Sequence, residues 1–498
     1  MPSTPGRTRT SKDAFDLVVV GGGATGLAAA RAGVAAGGRT RRVALVEADN
    51  LGGDCTHHGC VPSKTVLEIA RRVHGARSGH GRGFSAAVEV DLAGVHARVR
   101  QVIEEIEQDE SPAVLERQGI TVVRGWARFT GPHQIEVAGG SGPRRLRADR
   151  VVLATGAGPL VPAIDGLAGT PFVTNRTVFD LQAMPEHLLV LGGGPVGVEL
   201  AQAYRRLGAR VSLVSSASQL LPRDERAAAA VLAEVLRREG VDVRLGCYVT
   251  RVSHAGTSIS LHLADGSALT GSTLLVAAGR EPATSGLGLD AAGVAVDPSS
   301  GRITTNAALQ TSAAHIWAAG DCAAALHLTH LGDEQGRHAA NNAFARRPKP
   351  FHDRVVPWVT FTEPEVARVG LTESEAHTRY GAAAKVAQVP MSITDRARCA
   401  GETDGFVRLI AAPRVARVGS PYLLEVVGMT VVAPSGGELI EAGALAMRSR
   451  MLAGRLAQTI TAYPTYSIAV RVAAALLFGA GGHHARPARP GLPNPVPR

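Results

Sequence analysis

Cysteine is scarce in this chain of 498 residues: five in all, at Cys55, Cys60, Cys247, Cys322 and Cys399. So few, so widely scattered, exclude a secreted fold stapled by disulfides. Only Cys55 and Cys60 lie close together, and that pair reads as catalytic or metal-binding. Long apolar runs are missing as well. No stretch reaches the roughly 18 apolar residues of a membrane span. Residues 1–13 are polar, and the first apolar run, Leu17 to Val20, turns straight into glycines. Neither a signal peptide nor an anchor is expected, and the chain is read as cytoplasmic. Acids are outnumbered, 43 against 53 Lys and Arg, a net charge of +10. Half of that excess sits in two Pro/Gly-flanked tails expected to be disordered. They are residues 1–13, with Arg7, Arg9 and Lys12, and residues 479–498, with Arg486, Arg489 and Arg498. Elsewhere no basic stripe interleaved with aromatics occurs, so no nucleic-acid partner is expected.

What is present begins with a length too great for one core; two to four domains are expected. A strand from Asp16 to Val20 runs into Gly21-Gly22-Gly23-Ala24-Thr25-Gly26, then an Ala-rich helix, then a strand from Arg42 to Glu47. This is G-x-G-x-x-G in a βαβ setting. Gly21 permits the tight turn, Gly23 lets the backbone approach a pyrophosphate, and Gly26 allows close helix–strand packing. Glu47 ends the second strand, where a carboxylate accepts from a ribose diol.

The pattern returns about 170 residues later. Strand Leu188 to Leu191, turn Gly192-Gly193-Gly194-Pro195-Val196-Gly197, a helix to Leu207 and a strand from Arg210 to Val214 follow one another. Gly192, Gly194 and Gly197 hold the three glycine places. Here the acid is missing: Ser215 and Ser216 stand in its stead. A carboxylate would repel a 2′-phosphate, whereas hydroxyls hydrogen-bond one, so NADPH is expected over NADH. Arg223 lies near enough in sequence to contribute. Between the two units, Val122 to Leu153 alternates and reads as β structure, and after Pro350 a third unit without glycine fingerprints begins.

Immediately after the first βαβ opening comes Leu51-Gly52-Gly53-Asp54-Cys55-Thr56-His57-His58-Gly59-Cys60-Val61-Pro62-Ser63-Lys64. Cysteines at this spacing bridge if the segment starts a helix, and a thiolate at a helix N-terminus is acidified and reactive. This segment resembles the active site of the pyridine-nucleotide–disulfide oxidoreductases, the family of glutathione reductase, lipoamide dehydrogenase and mercuric reductase. Other matches cover residues 16–475. Ala154-Thr155-Gly156 resembles the family's ATG segment, with Ala157 where serine is usual. Ala127 matches a position whose backbone meets the FAD adenine. Gly279-Arg280-Glu281-Pro282 resembles the turn closing the nicotinamide domain, with Ala283 replacing asparagine. Ile316 to Asp321 resembles the second FAD fingerprint, and Phe361-Thr362-Glu363-Pro364-Glu365 the start of the dimerisation domain.

The resemblance implies an α/β fold of two doubly wound, Rossmann-like nucleotide-binding domains plus a C-terminal α+β dimerisation domain. It implies an FAD-binding domain at 14–165 and 284–349, an NAD(P)-binding domain at 166–283, and a dimerisation domain at 350–478. FAD would be held by Gly21, Gly23, Gly26, Glu47, Gly53, Lys64, Ala127, Thr155, Gly156 and Asp321. NADP(H) would be held by Gly192, Gly194, Gly197, Glu199, Ser215, Ser216, Gly279 and Arg280. Cys60 would be the flavin-proximal thiolate, Cys55 the interchange thiol, and Lys64 would pair with Glu199 near the reactive end of the flavin. The chain would form a homodimer.

The resemblance breaks at Tyr463-Pro464-Thr465-Tyr466-Ser467-Ile468. Glutathione and lipoamide enzymes carry His-Pro-Thr-x-Ser-Glu there, with histidine as the base. Tyr463 replaces that histidine, and a phenol with pKa near 10 is a poor base beside imidazole. This is like mercuric reductase, yet that enzyme's C-terminal cysteine pair is absent. The expected acceptor is therefore a small disulfide, a soft metal ion or a quinone. Lipoamide dehydrogenation and a non-catalytic FAD-binding partner protein are the alternatives. His57 and His58 are read as surface or substrate-facing rather than metal ligands, so no metal site is expected.

Overall fold

Leu17–Val20, Val43–Glu47 and Val151–Leu153 are nearly unbroken Val, Leu and Ala, the composition of parallel strands covered on both faces. In the computed structural model they lie side by side in a five-stranded sheet. Its order is Ile316–Ala318, Val151–Leu153, Leu17–Val20, Val43–Glu47, Ile120–Arg124, every neighbour parallel. Described are residues 13–36, 40–79, 83–139, 142–353, 355–414 and 423–479; the two expected tails fall almost wholly outside them. The edge strand Ile316–Ala318 returns from beyond the second glycine turn, so the first unit is built from two distant stretches of chain. Helix Ala24–Ala35 covers one face against helix Thr329–Phe344. Their approach is close, because a Cβ on Gly336 would lie 2.1 Å from the Thr25 carbonyl oxygen.

A second parallel sheet repeats the design with four strands: Val241–Leu245, Arg210–Ser215, His187–Leu191, Thr273–Val276. Helices Pro195–Leu207 and Arg226–Arg238 place their buried faces over it. The side chains of Leu188, Val190, Val198, Tyr204, Leu213 and Leu232 are fully covered, each such Val or Leu contributing roughly 1.5–3 kcal/mol relative to exposure. The expected β stretch around Val122 to Leu153 is present. It ends in a small sheet of Ala14–Phe15, Arg144–Ala148, Gln134–Ala138 and Trp126–Gly131.

The third unit is antiparallel, in the order Pro357–Thr360, Glu365–Gly370, Leu424–Ala433, Phe406–Pro413, Lys385–Pro390. Helices Gly436–Arg448 and Ile468–Leu476 cover it. Among the described residues no helix is long and apolar enough to cross a membrane.

One helix face supplies part of the joint between the third unit and the second, beside contacts of Trp358 with Asp224 and Arg408 with Glu225. Glu199, Gln202 and Arg206 recur at helical spacing on Pro195–Leu207. Glu199 accepts from the Phe361 N–H at 2.8 Å, and Gln202 accepts from the Glu363 N–H at 2.8 Å. The Gln202 amide donates back to the Glu363 carbonyl at 2.8 Å. Arg206 pairs with the Glu363 carboxylate and, at 2.7 Å, with Glu239.

Candidate active site

The redox turn is not one helix. A five-residue helix, Gly53–His57, carries Cys55; the chain breaks at His58 and Gly59; helix Cys60–Arg77 then starts on Cys60 itself. That break lets two cysteines five positions apart face each other, which a continuous helix would prevent. Both stand as free thiols. The Thr329 hydroxyl lies 3.4 Å from each sulfur. The hydrogen bond from Cys55 pulls the Cys60 thiol down to about 6 against burial, with help from Thr329 and the Lys64 ammonium. The Cys55 thiol is pushed up by the same bond and by burial. Of the two, Cys60 is the one whose surroundings favour the thiolate.

The turn sits directly on the first glycine cradle. Gly53, with φ +61°, comes so close to Gly23 that a Cβ would meet its Cα at 2.8 Å. In the cradle a Cβ on Gly26 would lie 1.7 Å from the Gly21 oxygen, whereas Gly23 has nothing nearer than 3.8 Å. The third glycine is required by packing, and the second faces open space where a diphosphate can approach. Glu47 accepts from the Gly22 N–H and, at 2.7 Å, from the Asp49 N–H. Ala127 lies on the neighbouring small sheet, paired with Val137.

A cleft of about 840 Å³ extends from this cradle past Cys55, Cys60, Lys64, Glu199 and Asp321 to Phe361. Lys64 Nζ donates to Glu199 Oε2 at 2.9 Å. Thr155 and Gly156 form the opposite lip, Thr155 donating to the Ala283 carbonyl at 2.7 Å. Burial raises the Asp321 carboxyl, while Arg280 pulls it the other way.

Arg280, expected with the second nucleotide, stands on this wall instead. Its guanidinium donates to Asp54 at 2.8 Å and to the Ala157 carbonyl, and approaches Asp321 at 3.6 Å. Gly279 holds φ +142° at the turn behind it. Arg280 Nε and Asp54 Oδ1 are buried without a hydrogen bond, each resting only in a longer ion pair, Nε with Asp321 at 3.6 Å and Oδ1 with Arg176 at 3.5 Å. Such a wall fits a ligand with a diphosphate and a hydroxylated chain.

The second cradle copies the first. A Cβ on Gly197 would lie 2.0 Å from the Gly192 oxygen, and Gly194 has nothing within 4 Å. Ser215 is buried beside Gly193 and accepts from the Ala217 N–H at 3.3 Å; Ser216 is exposed. Arg223 turns away, donating to the Ala325 carbonyl at 3.3 Å. Of the helix that follows this cradle, Pro195, Val196, Glu199 and Leu200 reach the cleft.

Tyr463 lies apart, 70% exposed on the third unit, its hydroxyl donating to Asp395 at 2.7 Å. That bond raises its pKa further, away from any use as a base. His57 is enclosed, bonded to the Leu51 carbonyl at 2.8 Å and 3.6 Å from Glu107. His58 lines the cleft, and burial lowers its pKa. Among the described residues no group of three or more His, Cys, Asp or Glu side chains is gathered to hold a metal. Sequence reasoning missed Thr329, Asp54 and Phe361. A threonine opening a helix is common enough to carry no distinguishing signal, and the other two depend on contacts across the chain.

Residues 15–345 match the family described as pyridine nucleotide-disulphide oxidoreductase, and residues 356–474 match its dimerisation domain. The chain belongs to that family. It is similar to a dihydrolipoyl dehydrogenase of Thermus scotoductus, 36% identical over 93% of this chain and 97% of that one. A mercuric reductase of Shigella flexneri is 34% identical over 93% of this chain and 81% of its own length. The fold matches that of the HOCl-induced flavoprotein disulfide reductase RclA from Escherichia coli, solved as a Cu(II) complex. That match has a TM-score of 0.82 and 28% identity, covering 93% of this chain and 99% of RclA. As a member of this family the chain is an oxidoreductase, a flavoprotein of FAD and a pyridine nucleotide with a redox-active disulfide centre.

Proposed function

We propose that the chain reduces a small disulfide, a soft metal ion or a quinone with electrons from NADPH, acting as a homodimer through Cys55 and Cys60. One observation carries this reading: an acidified Cys60 facing a protonated Cys55 across a shared hydroxyl, beside a cradle that leaves room for a diphosphate. FAD, when bound, would supply two-electron transfer between a nicotinamide and the cysteine pair. Gly21, Gly23, Gly26, Glu47, Gly53, Ala127, Thr155, Gly156, Arg280 and Asp321 would hold it. Lys64, fixed by Glu199, would keep a positive charge beside its reactive end. Cys60 keeps its charge where the flavin lies, and Cys55 attacks the acceptor or takes its metal ion.

Tyr463 favours acceptors that need no proton relay. Its hydroxyl is committed to Asp395, and the segment carries no histidine or acid. A soft metal ion fits best, since its binding displaces the Cys55 thiol proton to solvent and needs no protein base. The mercuric reductase relative and the Cu(II) complex of RclA support that class. NADPH is preferred because Ser215 occupies the place that Glu47 holds in the first cradle.

A steady-state screen of NADPH oxidation with Hg(II), Cu(II), quinones, small disulfides and lipoamide tests the reading. Metal-ion or disulfide turnover that vanishes in both Cys55→Ser and Cys60→Ser supports it; turnover of lipoamide alone sinks it. Spectra give a second arm. Cys55→Ser shows a long-wavelength thiolate-to-flavin band without reductant, and Cys60→Ser shows none. With the Thr329 hydroxyl and the Lys64 ammonium still pulling the Cys60 thiol down, the band fades as pH falls through the thiol's pKa.

A further inference from the structure

Lys64 is watched from three sides, each belonging to a different part of the fold. It projects from the helix that begins at Cys60, its partner Glu199 comes from Pro195–Leu207, and Phe361 comes from the turn after strand Pro357–Thr360. Lys64 Nζ lies 2.9 Å from Glu199 Oε2 and 4.5 Å from the centre of the Phe361 ring. The other oxygen of Glu199 accepts from the Phe361 backbone N–H at 2.8 Å. One residue therefore sets both the carboxylate and the ammonium, the first through its main chain and the second through its ring face.

A second cavity lies behind this pair. About 490 Å³ in volume, it opens on the far side of Phe361, and Lys64 and Phe361 line it as well as the cleft. Its walls carry Glu68, Glu363, Glu365 and Glu402. Glu68 is one helical turn beyond Lys64, within easy reach of a lysine. Arg71, Arg206 and Arg396 line the same cavity, and Glu68 and Glu363 are already paired with Arg71, Arg72 and Arg206, so Glu199 and the face of Phe361 are what hold the ammonium.

We propose that Phe361 is a positioning residue: its ring face and its main-chain N–H together hold the Lys64–Glu199 pair at the flavin end of the cleft. The dimerisation domain thereby acts on the electron path through one aromatic residue. The idea rests on the proposed flavin occupancy of the cleft, but its geometric half does not. An ammonium beside the flavin favours the reduced anionic form, so its displacement lowers the flavin midpoint potential.

Phe361→Leu and Phe361→Met keep an apolar group without a π face, and Phe361→Tyr keeps the face. Thermal unfolding first verifies that each variant folds. Lys64 reactivity is then read by acylation with an amine reagent and mass spectrometry, on protein stripped of flavin and on holoprotein. The leucine and methionine variants should change the Lys64 acylation rate by about threefold to tenfold, the factor a cation–π contact of this kind supports. Their flavin midpoint potential should fall, and their charge-transfer absorbance should weaken. Phe361→Tyr should restore all three. Wild-type reactivity and potential in Phe361→Leu overturn the proposal, as does a tyrosine variant that behaves like leucine. The stripped-protein arm needs no flavin, so failure of the functional reading would not be confused with failure of this one.

Discussion

The two glycine cradles share a backbone and differ at one side chain. Gly21 and Gly192 both take positive φ, +103° and +124°, and both following helices start from an extended glycine, Gly23 or Gly194. At the end of the second strand a carboxylate fills the space beside Gly22, whereas a hydroxyl fills the space beside Gly193. The glycine frame is thus shared, and the strand-end residue is where the two cradles differ. The surroundings differ too. The first cradle is roofed by the redox turn and by helix Thr329–Phe344; the second opens beside the cleft and sends only one helical turn into it. A resident cofactor and an exchanging one call for these two degrees of enclosure.

Breaking the cradles one at a time gives the largest expected effect. Gly26→Ala should yield colourless protein that FAD does not reconstitute, since its Cβ would meet the Gly21 oxygen at 1.7 Å. Gly197→Ala should stay yellow and lose flavin reduction by NADPH in stopped flow. A yellow Gly26→Ala protein would break the assignment. Next in size, Glu47→Gln should weaken FAD binding by about tenfold to a hundredfold, the worth of a charged hydrogen bond at ~1.5–3 kcal/mol. Fluorescence titration of stripped protein measures it, and unchanged affinity would remove Glu47 from the site. The mirror experiment is Ser215→Glu, which should turn the preference towards NADH in kcat/KM. Smallest, Ser215→Ala should cost NADPH about fivefold, one neutral hydrogen bond of ~1 kcal/mol, with NADH unaffected. Equal losses for both nucleotides would mean that Ser215 reads no 2′-phosphate.

Both cradles, the cysteine pair and Lys64 were legible because each is written in a contiguous run. A tight turn demands glycine, and a reactive bridge demands two cysteines near a helix start. The pairing of Lys64 with Glu199 came from resemblance, and the structure brings the two together. What sequence did not disclose spans long separations. Arg280 and Asp54 are 226 positions apart, and nothing local to either tells that their charges meet. Arg223, near Ser215 in sequence, points to another part of the fold because its strand-end loop turns back on itself. Cys55 and Cys60 were expected on one helical start; the break at His58 and Gly59 was not foreseen, although Gly59 is the residue that permits it.

The joint between the second and third units has a consequence for engineering. Glu199 and Gln202 grip main-chain atoms of residues 361 and 363, whereas Arg206, Asp224, Glu225 and Arg238 each ask for a particular side chain: Glu363, Trp358, Arg408 and Asp404. The peptide contacts accept many sequences in the same conformation; the side-chain contacts do not. The joint is therefore portable on a condition: a dimerisation module from another member of this family, spliced at residue 356, would dock in the same register if it kept those four side chains. Chimeras cut there would inherit the electron path from one parent and the subunit interface from the other.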